Sequence, residues 1–495
     1  MSSAKSILKS TSIVGGSQLI GIVFNLIRSK AVAYLLGPAG VGLVSAFQSS
    51  LKLVQALAGL GIENSAVRSI AAANASDSKI DLAKSVLTLR RVTIITGLIG
   101  MGITILLAPW ISKATFGTTE YAWPLRLLSL SVFFTILKGG QAALIQGLRR
   151  VKDLAKLSIF SAAFGTLVSI PFIYFMGEDG IPIYLVILAV GQYIVSYYFS
   201  HKYKVERIKL SFKDFSLEAN QMVRLGLAFM GGGLAGLTGA YLIRVIIIQG
   251  MSLSTAGIYQ AAVAISGLYI NVVLQAMGKD FYPRLVSVAH DESKEIKTIN
   301  DQIRVGTALA APGLVFTLAL APFAIELLYT SEFLDAYKIL QWMIIGTFLR
   351  TMSWPIGYLF IARSKGRHYF LIQLGSNILH ILFVLLLIPV LGLEGTGVAF
   401  LALYIIHNLV LYRLGSHLNG YKWDNGVRRS FFVYGSVVVA TFITVSFLDV
   451  IYAAVVGVLL GGLVTWIALR DVARILEVNS FKGVIKSIFK KKKKK

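Results

Sequence analysis

The sequence predicts an all-α polytopic membrane protein of about fourteen transmembrane helices, with two six-helix bundles related by a parallel pseudo-repeat and two further C-terminal helices. Three observations predict it. Hydrophobic residues fill 56% of the 495 positions, 14% are charged, and the mean hydropathy is +0.73, a balance outside the range of soluble domains. Apolar runs of about 20 residues recur from end to end, each long enough to cross roughly 30 Å of hydrocarbon as helix. The chain also matches itself at an offset of about 213 to 216 residues.

The spans centre near Ile22, Ser50, Gly102, Phe134, Gly165, Val190, Leu234, Gly267, Val315, Gly346, Gly375, Leu403, Val438 and Gly457. The first follows Lys5 and Lys9, is too long for a signal-peptide core, and reads as an uncleaved span. Connections alternate in charge. One set carries Arg68, Lys79, Lys84, Arg90 and Arg91, then Arg149, Arg150, Lys152 and Lys156, then Lys202, Lys204, Arg207, Lys209 and Lys213. The same set continues through Lys279, Arg284, Lys294 and Lys297, then Arg363, Lys365 and Arg367, then Arg413, Lys422, Arg428 and Arg429. The opposite set, including LLGPAG, MGEDGIP, QGMSLS and GLEGTG, is short and poor in cations. The positive-inside rule therefore places both termini in the cytoplasm. Stretches near 64 to 90, 201 to 222 and 280 to 303 read as short amphipathic or polar cytoplasmic helices.

The repeat pairs LIRSKAVAYLLGPAGVGLVSA with LIRVIIIQGMSLSTAGIYQA, and MGEDGIPIYLVIL with LGLEGTGVAFLAL. Between them, Arg68 aligns with Arg284, Pro109 with Pro322, and GLRRVKDL with IARSKGRH. Six spans per half is an even number, so both halves share one orientation, as in the parallel repeats of transporters. The expected domains are 1–205 and 206–425 for the two bundles, 426–475 for the extra helices, and 476–495 for a basic cytoplasmic tail. The Lys490 to Lys495 run ending that tail is either an anionic-lipid contact or an added tail.

Composition also excludes function classes. Without cysteine there are no disulfides, thiolate metal sites or cysteine nucleophiles. The formal charge of +25 reflects cytoplasmic loops and gives no reason to expect nucleic acid. No nucleotide loop, metal-ligand cluster or nucleophile triad stands out, so no cofactor or metal is expected. The GGGLAGLTG stretch, 231 to 239, is expected to permit close helix packing or a bend.

Functional residues announce themselves as charges at bilayer depth, each costing at least about 2.5 to 3.5 kcal/mol on insertion scales. Gln48, Lys52 and Gln55 fall at i, i+4, i+7 near the middle of the second span, on one helix face. Lys138 and Gln141 share a face of the fourth span, Arg350 sits in the tenth, and Arg28 and Arg244 are a repeat pair. Asn271 and Gln275 share a face of the eighth span. Embedded cations thus outnumber embedded anions. Arg28, Lys52, Lys138, Arg244 and Arg350 point to an anionic ligand, with arginine suited to phosphate oxygens. The amides Gln48, Gln55, Gln141, Asn271 and Gln275 suit a hydroxyl-rich one. Glu326, Asp280, His380 and His407 are weak candidates for coupling to an ion gradient.

Residues 35 to 71, LLGPAGVGLVSAFQSSLKLVQALAGLGIENSAVRSIA, resemble the second-span region of Wzx-type lipid-linked oligosaccharide flippases. These export O-antigen or enterobacterial common antigen units and belong to the multidrug/oligosaccharidyl-lipid/polysaccharide exporter superfamily. The two-half, basic, all-helical layout extends the likeness to about residue 420. The resemblance implies a V-shaped pair of six-helix bundles with a cationic central cavity, located in the bacterial inner membrane. It implies an undecaprenyl-pyrophosphate-linked glycan as cargo, membrane lipids as surroundings, and a periplasmic-side polymerase complex as a partner. Arg28, Lys52 and Arg244 match the family's pyrophosphate-binding cations by position. The last two spans depart from the twelve-span members; by analogy with the lipid II flippase they are expected to form a groove for the lipid tail. The competing functions are a multidrug or small-cation antiporter, which calls for cavity carboxylates, and a glycan polymerase or ligase, which calls for paired catalytic acids and a long external loop.

Overall fold

The computed structural model describes residues 3–76, 78–203, 205–206 and 208–475; the basic tail with Lys490 to Lys495, and the loop cations Lys204 and Arg207, lie outside the described residues. So do the side chains of residues 3–15, 279 and 475. Fifteen α-helices and no strand occur among the described residues. In bilayer hydrocarbon a helix satisfies its own backbone, which is why these apolar runs all take that form.

The helices, in chain order, are α1 (Ser3–Gly59), α2 (Ile62–Ala75), α3 (Lys79–Phe116), α4 (Ala122–Gly147), α5 (Val151–Met176), α6 (Gly180–His201), α7 (Phe212–Gly250) and α8 (Leu253–Ser287). They continue as α9 (Glu292–Ala319), α10 (Ala321–Leu328), α11 (Ala336–Ala362), α12 (Gly366–Leu391), α13 (Gly395–Asn419), α14 (Asn425–Phe447) and α15 (Val450–Ile475). Eleven segments are long and apolar enough to cross a membrane. Three of them, Gly16–Gly59, Val151–His201 and Gly366–Asn419, hold 44, 51 and 54 residues. At about 1.5 Å per residue each is twice the length one crossing needs. Counting those three twice gives fourteen crossings, as the hydropathy pattern predicts.

Each double segment turns at a glycine with positive φ, a conformation that L side chains rarely adopt. Gly37 (φ 61) precedes Pro38 inside α1, whereas Gly177 (φ 59) and Gly392 (φ 58) each open a three-residue 3-10 turn between paired helices. The expected short cytoplasmic helices take a different form. Only α2 stands alone; α3, α7, α8 and α9 run unbroken from polar ends into their spans, because continuing a helix leaves no extra backbone ends to satisfy.

By packing the chain divides into two compact units, Met1–Gly257 with Leu328–Thr330, and Ile258–Leu327 with Ser331–Lys495. The repeat sets a boundary at 205; packing sets it at 257, because α7 lies against α1, α2 and α3. In the first unit the apolar face of α2 (Ile62, Ala66, Ile70) forms a buried cluster with Val86, Leu89 and Val92 of α3 and Ala143 and Leu144 of α4. Glycine makes the closest approaches: a Cβ on Gly42 would collide with the Leu253 carbonyl, and one on Gly61 with the Gly226 carbonyl. Within the GGGLAGLTG stretch, Gly233 and Gly236 do not serve the expected close packing, since an added Cβ meets nothing within 4 Å at either.

In the second unit α9 packs on α11, α14 and α15, and α13 on α11 and α12. A polar cluster ties three of these ends together. Glu295 of α9, fully buried, receives Arg363 Nη2 at 2.8 Å and Nε at 3.0 Å, and the Asn419 amide at 2.8 Å. Asn300 extends it, accepting the Tyr421 hydroxyl at 3.0 Å and donating to the Lys422 carbonyl at 3.0 Å.

Candidate functional site

The Gly37 turn folds α1 into two spans, so one helix segment carries Arg28 before the turn and Lys52 after it. Phe47, Ser50, Leu51 and Val54 are buried, while Lys52 is exposed and Gln48 and Gln55 half-buried. The i, i+4, i+7 face is therefore the accessible face of the second span. Arg28 donates to Asn25 Oδ1 at 2.9 Å, and its Nη1 lies 3.3 Å from where a Gly165 Cβ would stand. Any side chain at Gly165 would crowd that guanidinium. Arg244, on α7, donates to its own helix at Ala240 O, 2.8 Å away.

The charges that bear on the Lys52 ammonium are Arg244 and Arg28, both of the same sign. Among the described residues Lys52 makes no ion pair or hydrogen bond. Cations of the first and seventh spans thus act on the one of the second span within the first unit. Such a group raises its own energy unless an anion joins it.

Lys138 has a different setting. Its Nζ donates to Gln192 Oε1 of α6 at 2.8 Å, and the charge acting on it is Glu63, in the first turn of α2. Gln141 is buried, and its Oε1 accepts the Ser200 hydroxyl at 2.6 Å. Both side chains of that α4 face therefore engage α6 within the unit. The surplus of embedded cations read from the sequence overlooked Glu63. The sequence signal was there: an acid two residues after the GLG break, readable as ordinary helix N-terminal charge.

Arg350 is half-buried on α11 in the second unit, without a side-chain partner among the described residues. Asn271 and Gln275 are both exposed on α8, and the Asn271 amide lies back over Gly267, 2.8 Å from where a Cβ would be. Asp280 and Glu326 are exposed. His407 Nδ1 pairs with the Ser376 hydroxyl at 2.8 Å, and His380 stands edge-on to Phe400. No hydrogen bond or ion pair among the described residues joins either histidine to Asp280 or Glu326.

Solved structures share this architecture. An inward-facing multidrug resistance MATE family transporter of the MOP superfamily superposes with a TM-score of 0.69 at 14% identity, over 83% of this chain and 96% of its own. The lipid II flippase MurJ, in an inward closed conformation, also gives 0.69 at 14% identity, over 95% of this chain and all of its own. The fold is thus the one these solved transporters share. In sequence, the lipid III flippase of Escherichia coli strain K12 is 25% identical over 405 residues, 81% of this chain and 96% of that protein; its Shigella flexneri counterpart matches equally. A family model described as polysaccharide biosynthesis protein matches residues 31–338, more than half the chain, and the chain belongs to that family. The Wzx-type resemblance of residues 35 to 71 agrees with all three comparisons.

Proposed function

We propose that the protein is a flippase that carries an undecaprenyl-pyrophosphate-linked oligosaccharide from the cytoplasmic to the periplasmic leaflet of the bacterial inner membrane. Membership of the polysaccharide biosynthesis family and the likeness to lipid III flippases support the cargo class. The observation that carries the reading is the like-charged group of Arg28, Lys52 and Arg244, with Lys52 lacking any protein partner among the described residues. A pyrophosphate answers that group. Each unit of phosphate charge near a cation gains on the order of 4 kcal/mol at 4 Å and an effective dielectric of about 20, which offsets part of the cost of moving charge through lipid. A cationic drug would meet the same group as repulsion.

The polyprenyl tail stays in lipid while the headgroup occupies the protein, and two alternating arrangements of the bundles expose it to each side in turn. Both termini lie in the cytoplasm, and a polymerase on the periplasmic side receives the product. Lys52→Ala or Arg28→Ala should lower glycan export by about tenfold or more with the variant still present in the membrane at normal level. Undiminished export in both variants removes the site.

A further inference from the structure

Within the first unit lies a cavity of about 310 Å³, walled by the end of α1, the start of α2, and α3, α4 and α7. Its polar side chains are Gln55, Glu63 and Asn64, with Thr93 and Thr96 beside them. Among the described residues the side-chain amides of Gln55 and Asn64 have no hydrogen-bond partner in the protein. Thr93 and Thr96 spend their hydroxyl protons on carbonyls of their own helix, Leu89 O at 2.8 Å and Thr93 O at 3.4 Å, and present lone pairs. Glu63 adds a carboxyl group, which burial pushes above the usual carboxylate range against the opposing pull of Lys138. Phe229, Met230 and Leu234 of α7 supply an apolar wall. Unpaired amides and acceptors opposite an aromatic and aliphatic face suit a pyranose, which has equatorial hydroxyls at its edge and C–H groups on its faces.

The room itself comes from glycine. Gly59 and Gly233 line the cavity, and an added Cβ at either would meet nothing within 4 Å. Packing therefore does not require glycine there, whereas an open cavity does. Its position is also informative: Gln55 is one turn beyond Lys52 on the same face, about 4.5 Å along the axis. A ring bonded directly to a phosphate held at Lys52 reaches that far.

We propose that this cavity is a pocket for one uncharged sugar ring, the one bonded to the pyrophosphate of the cargo; the proposal rests on the flippase reading. The test uses the full-length protein in lipid nanodiscs and two probes, undecaprenyl pyrophosphate and the same lipid bearing one N-acetylglucosamine. The natural protein should bind the sugar-bearing lipid at least tenfold more tightly. Gly233→Ile, which fills the cavity, should abolish that preference and leave affinity for the bare lipid unchanged. Asn64→Ala should reduce the preference several-fold and carries the test should the larger substitution prevent folding. Equal affinity of the natural protein for both lipids, or a preference retained in both variants, overturns the pocket. If Lys52→Ala weakens both lipids in that case, the flippase reading stands without it. If the natural protein binds neither lipid, both fall.

Discussion

An ammonium placed near Arg28 and Arg244 raises the energy of the empty protein, and this has a measurable consequence at Lys52. Like charges about 10 Å apart repel by about 1–2 kcal/mol at an effective dielectric of about 20. Lys52→Met should therefore raise the thermal midpoint of the ligand-free protein in detergent by that amount of stability. It should also abolish the stabilisation that added inorganic pyrophosphate gives the natural protein. A variant that is both less stable and still stabilised by pyrophosphate would contradict the placement. Arg363 makes the opposite case. Its removal leaves the fully buried Glu295 carboxylate with only the Asn419 amide, so Arg363→Ala should cost about 3–5 kcal/mol, seen as a large fall in thermal midpoint. In the sequence Lys52 reads as an embedded cation and Arg363 as one of a loop cluster with Lys365 and Arg367, and neither pattern names a partner. What separates them is who stands opposite, and that information lies 68 positions away for Arg363 and Glu295.

At the level of elements, α7 offers an internal control. Gly226 packs so closely on the α1–α2 junction that a Cβ would strike the Leu60 carbonyl, while Gly233 faces open space. Gly226→Ala should lower stability by about 2 kcal/mol or more, from the clash. Gly233→Ala should leave it unchanged or raise it by about 0.5 kcal/mol, through the reduced entropy of the unfolded chain. Denaturation of the two variants side by side decides this. The helices themselves were legible in the sequence, because a 20-residue apolar run has one stable form in lipid. So was the shared face of Gln48, Lys52 and Gln55, which periodicity alone sets. The partners of Lys138 were not: Glu63 and Gln192 come from other helices, and periodicity describes one helix at a time. Gln141 shows the same gap, since its face was read correctly while the neighbour on that face, Ser200, was not.

Across the whole molecule the internal repeat survives as backbone geometry where side chains have diverged. Arg149 and Ser364 both adopt positive φ (56° and 57°), and both are followed by a residue whose N–H bonds a carbonyl five positions back, Arg150 to Ile145 and Lys365 to Phe360. Gly177 and Gly392 repeat the same φ at the same spacing of 215 residues. One turn design thus serves both halves, although neither Arg nor Ser favours the left-handed region. Arg149→Gly and Ser364→Gly should each stabilise the protein by about 0.5–1 kcal/mol, and the double variant should show the sum. Unequal signs in the two halves would mean the shared conformation arises from different local constraints.

The paired helices α5–α6 and α12–α13 are joined by only three residues each, α7–α8 and α14–α15 by two, and α10–α11 by the span 329–335. On the orientation proposed, all of these joints face the periplasm. A protease or antibody approaching from that side finds almost no loose chain to grip, so intact spheroplasts should shield the polypeptide from trypsin until their membranes are opened.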